Sequence, residues 1–297
     1  MVKLAGTFTA LITPLKDDGT VDYDGWRQLI EFQLEQGVAG LVPLGTTGET
    51  PTLDDDEEER LIRIAVGTVK GKVPLVVGTG SNSTRSTLFY TRRAQSLGAD
   101  AVLITTPYYN KPNDSGLLKH FEAAAAVDVP IVVYNIPGRT GRNIPATLMK
   151  ELMQFPQIIG VKEASGDINQ IGEVIDTASK IRPDFQVISG DDGLTLPVMA
   201  LGGTGVISVV SNLIPQKMAA FTGVLARGDY AEGRRLHFEL LPLFRATFVE
   251  TNPVPIKAAM NMAGLPAGPV RPPLGPLSVA SEKLLRETLV GLRVVAA

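Results

Sequence analysis

The sequence predicts an α/β fold: a (β/α)8 TIM barrel with a small helical C-terminal extension. Three observations carry that prediction. Eight short runs rich in Val, Ile or Leu lie at 6–12, 40–43, 74–78, 101–104, 130–134, 158–161, 186–189 and 205–209. They are too short for buried helices and read as strands covered on both faces. Between them lie longer amphipathic segments, at 23–36, 54–69, 84–97, 116–127, 145–154 and 169–179, whose apolar residues recur three and four apart. Such alternation implies parallel strands joined by right-handed crossovers, and eight units favour a closed barrel over an open sheet.

After the eighth strand the pattern is helical only, at 215–227, 230–248, 254–263 and 278–292. These segments read as the last barrel helix followed by the extension, dividing the chain into a barrel, 1–224, and a helical extension, 225–297. The first strand leads into Thr13-Pro14-Leu15 rather than a Gly-x-Gly-x-x-Gly turn, which argues against a dinucleotide-binding fold. No further internal repeat and no low-complexity segment interrupts the alternation.

Bulk properties narrow the function. A chain of 297 residues with 44% hydrophobic and 20% charged residues suits one large barrel. The net charge is −3 and the Lys and Arg residues form no stripe, so nucleic acid is not an expected partner. The absence of cysteine excludes disulfides, thiolate metal sites and a cysteine nucleophile. Residues 1–9 contain no long apolar stretch, and no apolar run reaches the roughly 18 residues of a membrane span. A cytoplasmic protein is the expectation.

In a barrel, chemistry belongs at the C-terminal ends of the strands. Five of these ends carry suitable groups. Gly45-Thr46-Thr47-Gly48-Glu49 follows the second strand, and Tyr108-Tyr109 follows the fourth. The fifth ends in Tyr134 and leads to Arg139, the sixth leads to Lys162, and the seventh to Gly190-Asp191-Asp192. Lys162 is the most informative of these. Desolvation at the end of an apolar strand lowers a lysine's pKa, and only the neutral amine attacks a carbonyl. The competing reading pairs Lys162 with Glu163 or lets it reach solvent. Tyr134 and Tyr109 carry phenols that can exchange protons with a carbonyl or imine, or simply pack. Thr46, Thr47 and the loop N–H groups suit a small carboxylate, or mark a turn. Arg139 can fork onto a carboxylate or bind loop carbonyls.

Other clusters read as structural. The acidic run from Asp54 to Glu59 opens a helix and reads as a solvated face complementing the helix dipole. Asp191-Asp192 reads as a helix cap rather than a cation site. His120 and His237 lie in helical segments, so no His–Ser–Asp arrangement is available. No metal or cofactor is expected.

Taken in this order and on these strands, the Gly-Thr-Thr-Gly-Glu, Tyr-Asn-x-Pro and Val-Lys-Glu elements, with Asn252-Pro253-Val254-Pro255-Ile256-Lys257, identify a resemblance. The chain resembles the dihydrodipicolinate synthase family of the N-acetylneuraminate lyase superfamily over nearly its whole length. The resemblance implies a lyase that condenses pyruvate with L-aspartate 4-semialdehyde to 4-hydroxy-tetrahydrodipicolinate, the first committed step of lysine and diaminopimelate biosynthesis. It implies a Schiff base on Lys162, and a proton relay through Tyr134, Thr46 and Tyr109, the last entering from a neighbouring subunit. It also implies that Thr47 holds the pyruvate carboxylate, Arg139 meets the semialdehyde carboxylate, and Gly190 and Ile207 touch substrate through backbone. A homotetramer built from tight dimers follows, with a lysine-binding cleft near Thr50, Pro51, Asp55, Glu58, Asn82, Ser86 and Tyr108. Lysine-sensitive relatives usually carry glutamate where this chain has Ser86, so weak or absent lysine inhibition is expected.

Two other readings compete. One is another pyruvate aldolase of the superfamily, acting on sialic acid or a 2-keto-3-deoxy sugar acid. Arg139 disfavours it, because a polyhydroxylated partner wants short hydrogen-bonding side chains there. Thr47 also fits the synthase pattern, where sialic acid lyases typically have Gly-Ser-Thr-Gly-Glu. The other is a non-catalytic barrel, which predicts loss of a relay hydroxyl; Thr46, Tyr109, Tyr134 and Lys162 are all present.

Overall fold

The computed structural model describes residues 2–296; Met1 and Ala297, the ends assigned to the barrel and the extension, lie outside them. The elements run β1 Gly6–Ala10, α1 Tyr23–Glu35, β2 Gly40–Val42, α2 Asp55–Val69, β3 Val76–Gly78 and α3 Thr84–Leu97. They continue with β4 Ala101–Thr105, α4 Asp114–Ala125, β5 Ile131–Asn135, the short α5 Pro137–Thr140, α6 Ala146–Leu152, β6 Ile158–Glu163 and α7 Ile168–Ile181. Then come β7 Gln186–Ser189, α8 Thr195–Ala200, β8 Gly205–Ser208, α9 Pro215–Ala226, α10 Tyr230–Ala246, α11 Val254–Met262 and α12 Val279–Gly291.

All ladder pairs are parallel, in the order β2-β1-β8-β7-β6-β5-β4-β3. A parallel bridge between Leu41 and Leu75 joins the two ends, so the sheet closes as the sequence predicts. The third strand starts later than expected. Pro74 has no N–H to donate, and contributes its carbonyl to Leu41 N at 3.0 Å instead. The sixth strand runs two residues further, to Glu163, which brings Lys162 inside the ladder.

Helix starts follow local chemistry. Asp22, Ser83, Asn113 and Asp167 each accept from an N–H of the first turn that follows. Asp54 and Glu57 form a reciprocal capping box at the start of α2. Asp54, Asp55 and Asp56 are exposed as expected, but two members of that acidic run correct the solvated-face reading. Glu57 pairs with Arg271, Nη1 to Oε2 at 2.7 Å, and Glu58 is buried against Arg93. Two short helices, α5 and α8, were too brief for a periodic signal; Pro137 and Pro197 sit in their first turns, where a missing N–H does no harm.

Three apolar clusters hold the fold. One fills the barrel interior, with Phe8, Val42, Leu103, Val132, Tyr134, Ile188 and Ile207. A second lies between strands and the α1–α7 side of the helical shell. The third joins β1 and β8 residues such as Ile12 and Val206 to Phe221, Leu240, Phe244, Ile256, Leu285 and Leu289. Barrel and extension therefore share one continuous core. No helix among the described residues is long and apolar enough to cross a membrane.

Candidate active site

Strand alternation decides which side chains meet. Tyr134 on β5 and Lys162 on β6 are register partners, and so are the next residues, Asn135 and Glu163. Side chains at successive positions point to opposite faces. Tyr134 faces the barrel interior, and the Lys162 ammonium nitrogen lies 4.1 Å from the centre of the Tyr134 ring. Glu163 faces the other way, accepting from Asn135 Nδ2 and from Ser165 N at 2.8 Å. The ion pair between Lys162 and Glu163 is thus ruled out by the pleat.

Lys162 is 6% exposed. Burial pushes its amine down to about 7; the Asp192 carboxylate opposes the shift and the Arg139 guanidinium adds to it. Tyr134 is equally buried, and desolvation raises its phenol well above the usual tyrosine range, opposed by Arg139 and by the Thr46 side chain at its hydroxyl. At neutral pH the phenol therefore holds its proton, while the amine is partly neutral. That is the combination needed for attack on a carbonyl and protonation of its oxygen.

Gly190 lets the amine sit there. A Cβ at this position would lie 2.8 Å from Ala164 Cβ and 3.0 Å from Lys162 Cε, so any side chain would push the lysine stem aside. The β7 turn also supplies a correction. Asp191 does cap, accepting from Gly193 N at 2.8 Å. Asp192 does more: it is buried and reaches across to the end of β8, where its Oδ2 accepts from Val209 N and Val210 N at 2.9 and 3.2 Å. Its Oδ1 has no partner. Burial raises its pKa to about 6.

Thr46 and Thr47 lie in a single 3-10 turn whose first N–H groups have no side-chain cap. Thr47 is buried, and its Oγ1 accepts from Asn252 Nδ2 at 2.9 Å, which leaves the hydroxyl proton free to donate. Arg139, at the end of β5, stays exposed at the mouth and gives one hydrogen bond, Nη2 to the Asn252 carbonyl at 3.0 Å. Thr46, Tyr134, Ile136 and Arg139 line a cavity of about 430 Å³. Ile207 is buried among the interior side chains beside Phe8, its register partner on β1.

Lys162, Thr47, Gly190 and Ile207 are not in the lining of this cavity, and neither is Tyr109. It is 90% exposed and has a φ of 72°. Leu44, Glu49 and Lys111 also have positive φ, so four of the seven such non-glycine residues described fall in the mouth loops after β2 and β4. Strain of this kind, about 1–3 kcal/mol each, persists only where surrounding contacts impose it. Of the residues expected at a lysine-binding cleft, Thr50, Pro51, Glu58 and Tyr108 line the same cavity, while Asp55, Asn82 and Ser86 do not. Asp55 and Glu58 both pair with Arg93, and the Asn82 carbonyl accepts from Asn110 Nδ2.

Two residues to which sequence reasoning gives no role, beyond carrying the resemblance, come from the extension. Asn252 touches both Thr47 and Arg139, and Lys257 is a fully buried lysine paired with Glu49 at 2.7 Å. One signal was available: Lys257 is the only charge in the apolar helix α11.

The fold and this site define a class: a barrel lyase that forms a Schiff base on a desolvated lysine. Comparisons with known proteins narrow the class. The model of the dihydrodipicolinate synthetase family matches residues 3–291. The 4-hydroxy-tetrahydrodipicolinate synthase of Methanoculleus marisnigri is 49% identical over 287 residues, covering 96% of this chain and 98% of the relative. The solved dihydrodipicolinate synthase of Thermotoga maritima superposes with a TM-score of 0.96 at 42% identity, over 98% of this chain and 99% of that one. The enzyme of Cyanidioschyzon merolae, solved with lysine bound, gives a TM-score of 0.95 at 38% identity, over 99% of this chain and all of that one. The chain belongs to the dihydrodipicolinate synthetase family.

The pH profile tests the electrostatics of the site. With free Lys162 titrating at about 7, kcat/KM for pyruvate should climb with pH up to that value and level off above it. Asp192→Asn removes the group that holds the amine's proton affinity up, so the inflection should move to lower pH. A wild-type inflection near the ordinary lysine value of about 10 would show a solvated amine. No movement in the Asn variant would show that Asp192 does not act on it.

Proposed function

We propose that this chain condenses pyruvate with L-aspartate 4-semialdehyde through an imine on Lys162, releasing 4-hydroxy-tetrahydrodipicolinate for lysine and diaminopimelate biosynthesis. The observation that carries this reading is the desolvated amine of Lys162 lying against the protonated Tyr134 phenol. The neutral amine adds to C2 of pyruvate, Tyr134 protonates the oxygen, and water leaves as the imine forms. The imine acidifies C3, whose proton is lost to give an enamine. That carbon attacks the aldehyde of the second substrate. The amino group of the adduct then attacks C2, closing the ring and expelling Lys162 as a free amine.

Thr47 and the N–H groups of its turn hold the pyruvate carboxylate. Arg139 holds the carboxylate of the semialdehyde, which favours this substrate over a polyhydroxylated one. Gly190 and Ile207 contribute backbone contacts. Thr46 links Tyr134 to Tyr109 in the relay. Because Tyr109 stands exposed and away from its own cavity, the relay requires it to enter the site of a second protomer. The reading therefore includes a tight dimer, paired into a homotetramer, acting in the cytoplasm.

Borohydride added with pyruvate should inactivate the enzyme and attach one three-carbon adduct to Lys162. An adduct mapped by peptide mass spectrometry to Lys257 instead would remove the mechanism. Lys162→Ala should lower turnover by several orders of magnitude.

Arg139→Ala should raise KM for the semialdehyde by roughly 10- to 100-fold, the equivalent of a charge-assisted hydrogen bond of about 1.5–3 kcal/mol, with little change for pyruvate. Equal effects on both substrates would assign Arg139 a structural role. Fast cleavage of a sugar acid with negligible semialdehyde turnover would favour the other aldolase branch.

Lysine should inhibit weakly or not at all. Ser86 offers a ligand ammonium no charge, and the nearby acids Asp55 and Glu58 are already occupied by Arg93. A lysine titration at sub-saturating pyruvate checks this. Half-inhibition well below about 1 mM, an affinity near −4 kcal/mol, would contradict it.

A further inference from the structure

The loop proposed to hold the pyruvate carboxylate is held from both the end of β1 and the C-terminal extension. Glu49 closes it. This residue is 2% exposed, has a φ of 55°, and separates the turn carrying Thr46 and Thr47 from the next turn, Thr50–Thr52. Its Oε1 accepts from Lys257 Nζ at 2.7 Å and its Oε2 from Arg271 N at 2.9 Å. Lys257 spends its other two donors on the carbonyls of Thr13, at 3.0 Å, and Pro269, at 2.6 Å. Thr13 in turn donates its hydroxyl to Gly48 O at 2.7 Å.

The segment that presents these groups is itself pinned. Asn261 exchanges two 2.9 Å hydrogen bonds with the backbone of Gly268. A Cβ on Gly268, whose φ is 67°, would lie 1.7 Å from the Leu15 carbonyl, so only glycine allows the chain to run this close to the end of β1. Both groups that hold the Glu49 carboxylate therefore rest on α11 and the irregular stretch after it, 208 and 222 residues from Glu49 in sequence.

A buried ion pair adds little net stability compared with an apolar pair of the same shape. It does fix geometry, because neither charge tolerates losing the other. We infer that Glu49 and Lys257 are positioning residues for pyruvate: the pair locks the strained turn so that Thr46 and Thr47 face substrate in one arrangement. This inference rests on the reading of Thr47 as the carboxylate-binding residue.

Three variants test it: Glu49→Gln, Lys257→Met, and the two combined. Each single variant should raise KM for pyruvate by roughly tenfold or more, the equivalent of losing one charge-assisted hydrogen bond, with kcat and the semialdehyde KM changed by no more than about threefold. The single variants strand a buried charge or acceptor and should lose thermal stability. The combined variant leaves no unpaired charge, so its stability should recover in part, the Thr13 and Pro269 carbonyls still lacking their donor, while KM for pyruvate stays high. A combined variant that regains wild-type KM together with its stability would overturn the inference, and so would single variants with lowered Tm and unchanged KM. Thr47→Val separates the two claims. If it leaves KM for pyruvate unchanged, the carboxylate assignment fails. If it raises KM while the pair variants do not, only the positioning role fails.

Discussion

The rest of the site depends on keeping one amine out of water. Folding places Lys162 in an apolar barrel, and its pKa falls from 10.5 to about 7. The unfolded chain binds this proton more tightly, so the penalty is fully present below pH 7 and fades as pH rises toward 10.5. At about 1.4 kcal/mol per unit it is on the order of 5 kcal/mol, comparable with the net stability of many domains. A side chain held at that cost has to be supported from elsewhere. The interior cluster around Tyr134, Ile188 and Ile207 and the glycine at 190 supply that support, by packing and by leaving room.

The two buried lysines make the point by contrast. Lys257 has a carboxylate and two carbonyls for its three donors. Its pKa is also pushed down by burial, but Glu49 pulls it back up. It cross-links the loop after β2 to the extension. Besides burial, Lys162 feels one carboxylate, Asp192, and one guanidinium, Arg139, of opposite effect. One lysine is satisfied and inert; the other is left poised to react. Burial alone would not separate them, and the difference lies in the partners.

That difference also marks what the sequence could convey. The strands and most helices were legible because burial on one or two faces leaves a local period in the residues. Lys162, Tyr134, Thr46 and Arg139 were legible because a barrel puts strand ends at one mouth. The partners of Lys257 were not, since Glu49 lies 208 positions away and no local pattern records such a pairing. Glu58 was misread for the same reason: within its own helix it belongs to an acidic run, and only packing of α3 brings Arg93 against it. Asp192 sits next to a residue that does cap, and local chemistry cannot tell the two apart.

Asp192 and Arg139 act on the same nitrogen with opposite sign, and the proposed mechanism draws on each at a different stage. Before pyruvate adds, the neutral amine is required; burial is the largest influence and Arg139 reinforces it, while Asp192 works against it. Once the imine forms, the useful state is the protonated one, because a cationic imine is the stronger electron sink. At that stage the buried Asp192 carboxylate, fixed by two backbone N–H groups, stabilises the positive nitrogen, and the Arg139 guanidinium opposes it. On the proposed mechanism, a semialdehyde carboxylate held at Arg139 would neutralise that opposition when carbon–carbon bond formation regenerates the cationic imine. On that reading the second substrate would adjust the field at Lys162 as well as supply the aldehyde, and a neutral polyol bound there would not.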